Sequence, residues 1–397
     1  MKEDFIVRSR RHTGWLVFAW IVLNLPGTSF ADTPVLTPPA SLNGNQVQFT
    51  LSGASNYNYA IQTSTDLLNW TSVTTNGNAG SNGAWIIIAP ATNDVLFFRA
   101  AKVTIPAFRF ALAAQATINF AGSNMLSDSF DSTDPLYSTA GQYDASKRKA
   151  GGDLATDSSL AGAVSLGNAE IYGALHTGTE SQPATVQIGT NGTVGGLAWD
   201  PGNSGIEPGF WNYDMNLNFP EVPQPMGSWL PPVSGVYKGT VYRYFLATGN
   251  YALSSLTLSG QSKMIVTGSA ILWVPVNITM SGQSSITIAS GGSLIMYVGR
   301  PDAGGTNVAA VFGGNGVVNT DGFAKDFQLY CLPNVTNVVL YTSFAGTIYA
   351  PQADIGVYGP LDVPLDFFGS IVGKTITAGE SVRFHYDESL RTAGPSF

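Results

Sequence analysis

The sequence predicts an all-β protein: a small β-sandwich followed by a right-handed parallel β-helix, or solenoid. Only 11% of its 397 residues are charged while 44% are hydrophobic, so a core is available but the polar faces of amphipathic helices are not. Gly, Ser, Thr and Asn dominate the polar residues, which favours short strands joined by turns. Segments in the second half also repeat at a period of about 22 residues.

The first 31 residues have the pattern of a secretory signal peptide. Basic residues between Lys2 and Arg11 precede an apolar run from Trp15 to Leu25, and small residues precede a cleavage site after Ala31. A membrane anchor is the alternative, but the run is far shorter than the ~20 residues that span a bilayer. We therefore expect an exported protein, in the periplasm, at the cell surface or outside the cell, with no transmembrane span in the mature chain.

Residues 32–104 are predicted to form the small β-sandwich, because alternating runs such as Gln46–Leu51 and Val95–Ala100 are separated by turn-forming clusters. The stretch from Tyr59 to Trp70, closed by Phe97-Phe98-Arg99-Ala100, resembles a fibronectin-like module of exported bacterial proteins. That resemblance implies that Trp70 and the final aromatic residues belong to the core rather than to a sugar-binding platform.

Internal repeats predict the β-helix at residues 105–390, with 391–397 as a tail. Leu258-Ser-Gly-Gln-Ser262 returns as Met280-Ser-Gly-Gln-Ser284, and Phe344–Tyr349 returns as Phe367–Val372. Short strands separated by Gly, Asn or Ser at this period are typical of a parallel β-helix. We therefore expect Leu258 and Met280, and likewise Phe344 and Phe367, to be stacked neighbours on successive coils.

A segment rich in Trp and Pro around residues 199–244 interrupts these repeats and is interpreted as a long loop or insertion, because Pro is excluded from central strands. It holds the candidate catalytic residues Asp200, Glu207 and Asp214, since glycoside cleavage uses paired carboxylates. Trp211 and Trp229 are the candidate sugar-binding residues.

Asp128, Asp131 and Asp134 recur at every third position, and acidic side chains spaced along a turn could bind calcium. The alternative is that they cap turns through backbone amides, and no cofactor is expected otherwise. The motif His385-Tyr386-Asp387-Glu388 is expected to have a hydrogen-bonding and capping role. His176 is interpreted as a surface turn residue. Cys331 is interpreted as a buried thiol.

The large domain resembles that of PilX-like type IV pilus assembly proteins. The resemblance rests on Phe344–Ile355, Asp366–Lys374 and His385–Leu390, and upstream on Asp128–Ser132 and Gly167–Gly173. It implies a β-helical, envelope-associated domain, with no catalytic residues that could be assigned from it.

The formal net charge of −8 argues against nucleic-acid binding. We expect a non-enzymatic envelope or extracellular protein with a structural or adhesive role, and polysaccharide or other envelope components as partners. The alternatives are a carbohydrate-active enzyme (a lyase or glycosidase) and a carbohydrate-binding protein on the same scaffold.

Overall fold

The computed structural model describes residues 5–12, 15–22, 35–36, 40–42, 46–52, 58–76, 84–90, 95–103, 106–200, 202–216, 219–301, 307–360, 362–392 and 394. The predicted cleavage site after Ala31 lies outside these residues, but the predicted signal peptide before it contains two described strands, Phe5–His12 and Trp15–Val22. The fold is all-β, with 53% strand, and the described residues contain no α-helix. Two compact units are present: Met1–Ile105 with Asn216–Pro220, and Pro106–Met215 with Glu221–Phe397.

The first unit consists of antiparallel strands. They are β1 (Phe5–His12), β2 (Trp15–Val22), β3 (Val35–Leu36), β4 (Ala40–Leu42), β5 (Gln46–Ser52), β6 (Asn58–Ser64), β7 (Thr71–Asn76), β8 (Ala84–Pro90) and β9 (Val95–Val103). One sheet has the order β2-β1-β9-β6-β7, and in a second sheet β5 pairs with β3, β4 and β8. Phe97 and Phe98 are buried as expected. Trp70 is partly exposed, and the Arg99 guanidinium lies 4.2 Å from its ring centre.

The second unit is built mainly from short parallel strands. Its first half contains β10 (Leu112–Phe120), β11 (Leu126–Phe130), β12 (Leu154–Thr156), β13 (Val164–Gly167), β14 (Glu170–Tyr172), β15 (Leu175–Gly178), β16 (Val186–Ile188), β17 (Thr193–Gly195), β18 (Gly205–Ile206) and β19 (Trp211–Met215). Short 3₁₀ helices lie at Ala145–Lys147, Pro183–Thr185, Ala324–Asp326 and Glu388–Thr392.

The second half of this unit contains the longest strands. Its strands are β20 (Val233–Tyr237), β21 (Thr240–Leu246), β22 (Gly249–Ala252), β23 (Leu256–Leu258), β24 (Lys263–Val266), β25 (Ser269–Val274), β26 (Ile278–Met280), β27 (Ser285–Ile288), β28 (Ser293–Val298), β29 (Val308–Phe312), β30 (Val317–Asn319), β31 (Phe327–Cys331), β32 (Val335–Leu340), β33 (Phe344–Tyr358), β34 (Leu365–Gly379) and β35 (Val382–Asp387).

Apart from β20, β21, β24, β27 and β30, these strands form a continuous parallel ladder whose order in space differs from the order in the sequence. One path through it runs β22–β25–β28–β31–β33–β34–β10–β12–β15–β19. The first strand of the unit, β10, therefore lies inside the ladder, between β34 and β12. The predicted fold class is confirmed as an all-β protein with a large, mainly parallel sheet, and its winding into a right-handed solenoid stays a prediction.

The predicted stacking of the repeats is confirmed by the register of the ladder. Leu258 pairs with Met280 and Phe344 with Phe367, and all four side chains are at most 2% exposed. The Phe344 and Phe367 rings are 5.4 Å apart and nearly coplanar, at 5°. Because the same side-chain types recur at the same register, they form one uninterrupted apolar core.

Of the two interpretations of residues 199–244, one long loop is wrong, because the described part of the segment contains β18, β19, β20 and the start of β21; an insertion stays a prediction. β19 extends the main ladder beyond β15, and β18 pairs with β17. β20 and β21 begin a second sheet, which continues through β24, β27 and β30. The described prolines of the segment all lie outside strands, as the missing backbone N–H of Pro requires.

Candidate functional site

The three acidic residues predicted for catalysis bind different partners. Asp200 accepts hydrogen bonds from the Tyr172 hydroxyl at 2.7 Å and the Thr193 hydroxyl at 3.0 Å. Glu207 accepts one from the backbone N–H of Gly196 at 2.7 Å. These two carboxylates accept hydrogen bonds from neighbouring parts of the chain. The two carboxyl groups of a glycosidase instead flank the glycosidic bond that is cleaved.

Asp214 is different, because it pairs with His176. The His176 Nδ1 atom lies 2.8 Å from Asp214 Oδ1, and the two side chains are 15% and 56% exposed. A β-bulge brings them together: between the pairs His176↔Asn212 and Gly178↔Met215, one residue of β15 faces two residues of β19. Bulges redirect a side chain in this way. The interpretation of His176 as a surface turn residue is therefore wrong, since it lies on β15 and is partly buried.

Aromatic and basic groups surround this pair. The Trp211 indole N–H donates to the Thr177 hydroxyl at 2.9 Å, and the exposed Tyr213 ring lies 5.0 Å from Trp211. Burial raises the pKa of Asp214, but the hydrogen bond and charge of His176, with the charge of Arg109, outweigh it, so this pKa lies below its ordinary value. An ionised carboxylate at Nδ1 orients the imidazole and directs Nε2 away, an arrangement suited to proton transfer.

The second predicted tryptophan, Trp229, belongs to another aromatic group. Its ring lies 5.8 Å from that of Trp273, and Trp273 pairs in register with Tyr297 on the next strand. All three are partly exposed. The Trp273 indole N–H donates to the Gly299 carbonyl at 3.1 Å, which fixes the ring. Trp229, Trp273 and Tyr297 are called the aromatic row.

Further aromatic residues continue the in-register stack beyond the aromatic row, into the protein. Tyr297 pairs in register with Tyr330 and Tyr330 with Tyr349, but these two rings are at most 3% exposed. Phe108 lies 6.3 Å from Tyr349, so the stacked aromatic residues lose their exposure where the start of the second unit approaches them. The accessible part of this stack is therefore the aromatic row itself. Trp229 is recognisable in the sequence by its residue type, but the sequence does not show that Trp273 lies beside it.

The three aspartates considered for calcium have separate partners. Asp131 accepts hydrogen bonds from the N–H and hydroxyl of Thr133 at 2.9 and 2.6 Å, and Asp134 accepts one from the N–H of Leu136 at 2.9 Å. Both therefore cap turns, as the alternative interpretation held. Across the described ranges, no group of three or more His, Cys, Asp or Glu side chains could hold a metal ion.

Asp128 instead belongs to a buried network around His385. The His385 Nδ1 atom lies 2.6 Å from Asp128 Oδ1, and its Nε2 atom lies 3.3 Å from Asp366 Oδ1. The Tyr143 hydroxyl donates to the other oxygen of Asp128 at 2.6 Å, while Arg383 binds both oxygens of Asp366. Asp128, Asp366, Arg383 and His385 come from β11, β34 and β35, which are adjacent in the ladder, whereas Tyr143 lies outside the strands.

Burial and charge oppose each other in this network. Burial lowers the pKa of His385, but its hydrogen bonds to Asp128 and Asp366 outweigh burial, so the pKa lies above its ordinary value. Burial raises the pKa of Asp366, and its bonds to His385 and Arg383 lower it below the ordinary value. The His385 side chain is only 3% exposed, with the Tyr143 ring stacked 3.8 Å away. We interpret this network as a structural charge cluster rather than an open catalytic site.

Asp387 and Glu388, the remaining acidic residues of the C-terminal motif, bind the segment that contains Tyr143. Asp387 accepts a hydrogen bond from the N–H of Ser132 at 3.1 Å, and Glu388 forms an ion pair with Lys149 at 2.5 Å. These contacts agree with the hydrogen-bonding role expected for the motif. The Cys331 thiol is buried, as expected, and burial raises its pKa. A protonated thiol of this kind is a poor nucleophile.

Comparison with known families matches residues 236–393 to DUF7305, a domain of unknown function. The match begins at the end of β20 and ends after β35, so it covers only the second half of the ladder. Comparisons with curated proteins and with solved structures gave no significant match. In the described residues, no helix is long and apolar enough to cross a membrane.

Proposed function

We propose that the protein is an exported, non-enzymatic cell-envelope or extracellular structural and adhesion protein, built on a right-handed parallel β-helix and binding polysaccharide. The register of the ladder supports the solenoid. Thr257, Thr279, Val311 and Val339 follow one another at the same position of four successive strands. A rigid stack of this kind presents an extended surface to a polymer.

The aromatic row is the observation that supports polysaccharide as the partner. Sugar rings stack on flat aromatic faces, and Tyr and Trp are suited to this because an apolar ring is combined with a polar edge. Neighbouring parallel strands are ~4.8 Å apart, so Trp273 and Tyr297, which pair in register, lie one strand spacing apart along the row. The low content of charged residues, 11%, favours a neutral partner.

Removal of the row tests this function. Purified protein is incubated with insoluble cellulose, chitin and peptidoglycan sacculi, and the bound fraction is measured for the wild type and for Trp229→Ala/Trp273→Ala. The matched control is Tyr341→Ala/Tyr358→Ala, which removes another exposed aromatic pair at 5.9 Å. We expect affinity for at least one polymer to fall about tenfold or more in the first variant only, since ~1.4 kcal/mol corresponds to a factor of ten.

Equal binding by both variants, or no binding by the wild type to any of the three polymers, would rule out the row as a polysaccharide site. The far-UV circular dichroism and melting temperature of each variant are measured alongside, so that loss of fold is separated from loss of the site.

Export and family relationship form part of the same proposal. The basic, apolar and small-residue pattern before Ala31 supports export, and the PilX-like and fibronectin-like resemblances support a place in the envelope. Expression in a bacterial host, with N-terminal sequencing of the exported protein, should give Asp32 as the first residue. Retention of the intact N-terminus in the cytoplasm would contradict export.

The His176–Asp214 pair favours a second candidate function, a carbohydrate-active enzyme. The pair is partly exposed, and the ionised Asp214 carboxylate would orient His176 so that its Nε2 atom could act as the general base. Release of reducing ends from a polysaccharide panel should then be abolished by Asp214→Asn and retained by Asp354→Asn, a control at another exposed carboxylate that accepts a hydrogen bond. Absence of any product from the wild type rejects the enzyme on that panel.

A further inference from the structure

The second unit contains a seam where its two sequence halves meet edge to edge. β10 pairs with β34 from Leu112↔Ile371 to Phe120↔Ala378, and β11 pairs with β35 from Leu126↔Arg383 to Phe130↔Asp387. The Ser370 hydroxyl also donates to the Phe110 carbonyl at 2.6 Å. Each half is a continuous ladder by itself, and this seam joins the two ladders by strand pairing. The chain also connects them between β19 and β20.

The connector, defined as the chain between Met215 and Leu230, has little spare length. Nine strand pairings separate β19 from β22, and Leu230 pairs with Tyr251 on β22. Tyr251 already pairs with Leu272 of β25, so Leu230 lies one step further out. Ten steps of ~4.8 Å give a distance of ~48 Å. About 15 residues reach at most ~50–54 Å when fully extended.

The sequence of the connector suits this extension. Pro220, Pro223 and Pro225 favour extended or polyproline II backbone in themselves and in the residues before them. The proline-rich composition, which first indicated a loop, is thus explained by the distance that the chain must cover.

We propose that the seam is a strand-exchange interface for a second copy of the chain, and that the connector's length keeps it closed within one chain. In an exchanged dimer, β10 and β11 of one copy would pair with β34 and β35 of the other. The seam contacts would be the same in both forms. The choice between them would depend on whether the connector allows intramolecular pairing and on protein concentration.

A shortened connector tests this directly. Deletion of Pro223–Met226, most of which is exposed, leaves about 11 residues with a reach of at most ~36–40 Å, less than the ~48 Å required. Light scattering after size exclusion should find a monomer for the wild type and a dimer for the deletion variant. Replacement of the same four residues by Gly-Ser-Gly-Ser preserves the length and should remain monomeric.

Cysteines across the seam report which chains pair. Asn119 faces Thr377 across it, and the matched control position Ser165 faces Asn119 within the first half. Asn119→Cys/Thr377→Cys should form a disulfide within one chain at the natural connector length and between two chains in the deletion variant. Asn119→Cys/Ser165→Cys should cross-link within one chain in both. The proposal would be overturned if the deletion variant is monomeric and keeps the wild-type melting temperature, and if its Asn119→Cys/Thr377→Cys disulfide forms within one chain.

A second experiment applies if the deletion variant does not fold. Full-length Asn119→Cys and differently tagged Thr377→Cys chains are mixed in urea and refolded together at high concentration. A disulfide between the two chains that forms after joint refolding, but not when separately refolded chains are mixed, reports exchange, and it should increase with concentration. Its absence at every concentration, while Asn119→Cys/Ser165→Cys refolded in the same way forms its intrachain link, would equally overturn the proposal.

Discussion

Truncation of one stacked phenylalanine tests whether neighbouring strands share a core. Phe367 is 1% exposed. Its ring lies 5.4 Å from Phe344 and 6.0 Å from Phe384, on the strands to either side. Phe367→Ala removes apolar contacts on both sides and leaves a cavity, so unfolding should become easier by ~3–5 kcal/mol. The exposed Leu160→Ala, at 75% exposure, should change stability by less than ~0.5 kcal/mol.

A double-mutant cycle isolates the stacking itself. An aromatic pair contributes ~0.5–1.5 kcal/mol beyond burial, so Phe344→Ala and Phe367→Ala together should cost less than the sum of the single changes by about that amount. The assay is urea unfolding followed by tryptophan fluorescence, with m-values compared to check that the unfolding transition is unchanged. Additive losses, or a Phe367→Ala loss below ~1 kcal/mol, would refute side-by-side packing of these rings.

Three further predictions follow from the same structure. His385 has a raised pKa, so its contribution to stability is complete below its ordinary value of 6.5 and is lost as pH rises through the folded value. The stability difference between wild type and His385→Asn should therefore shrink as pH rises above 6.5. A constant difference would show that His385 does not titrate as proposed. Gly369 has φ of +138°, and an added Cβ would lie against the Gly346 carbonyl oxygen. Gly369→Ala should therefore lower the free energy of unfolding by more than ~1 kcal/mol, as measured by thermal unfolding. An unchanged melting temperature would contradict this close approach. Cys331 should react with a thiol reagent only after unfolding, and rapid modification of the native protein would contradict its burial.

Local repetition made part of the fold predictable. The Leu258/Met280 and Phe344/Phe367 pairs were identifiable because the same residue types recur at one period, and a repeated side chain at a repeated register is a short-range property of the sequence. The pairing of Leu112 with Ile371 leaves no such pattern, since it joins strands from opposite ends of the unit. Sequence periodicity therefore predicts the rungs but not the order in which they stack.

The sequence identified single candidate residues by their type, but not the residues that they contact in the structure. Asp214 and Trp229 were selected as an acid and an aromatic, but His176 and Trp273 come from distant strands, and the first is brought into place by a bulge. Asp128 was considered for calcium because of its neighbours at 131 and 134. The structure instead binds it to His385, 257 positions away, through the seam that the repeats could not reveal.

Distances between spin labels on three exposed residues test the order of the ladder most directly. Thr257, Asn119 and Gln187 occupy the same position of different strands, with Asn119 six strand steps and Gln187 eight steps from Thr257. At ~4.8 Å per step, double electron–electron resonance on labelled cysteine pairs should give about 29 Å for Thr257–Asn119 and about 38 Å for Thr257–Gln187. If the strands stacked in sequence order, Gln187 would be the nearer of the two, and that result would contradict the ladder described above.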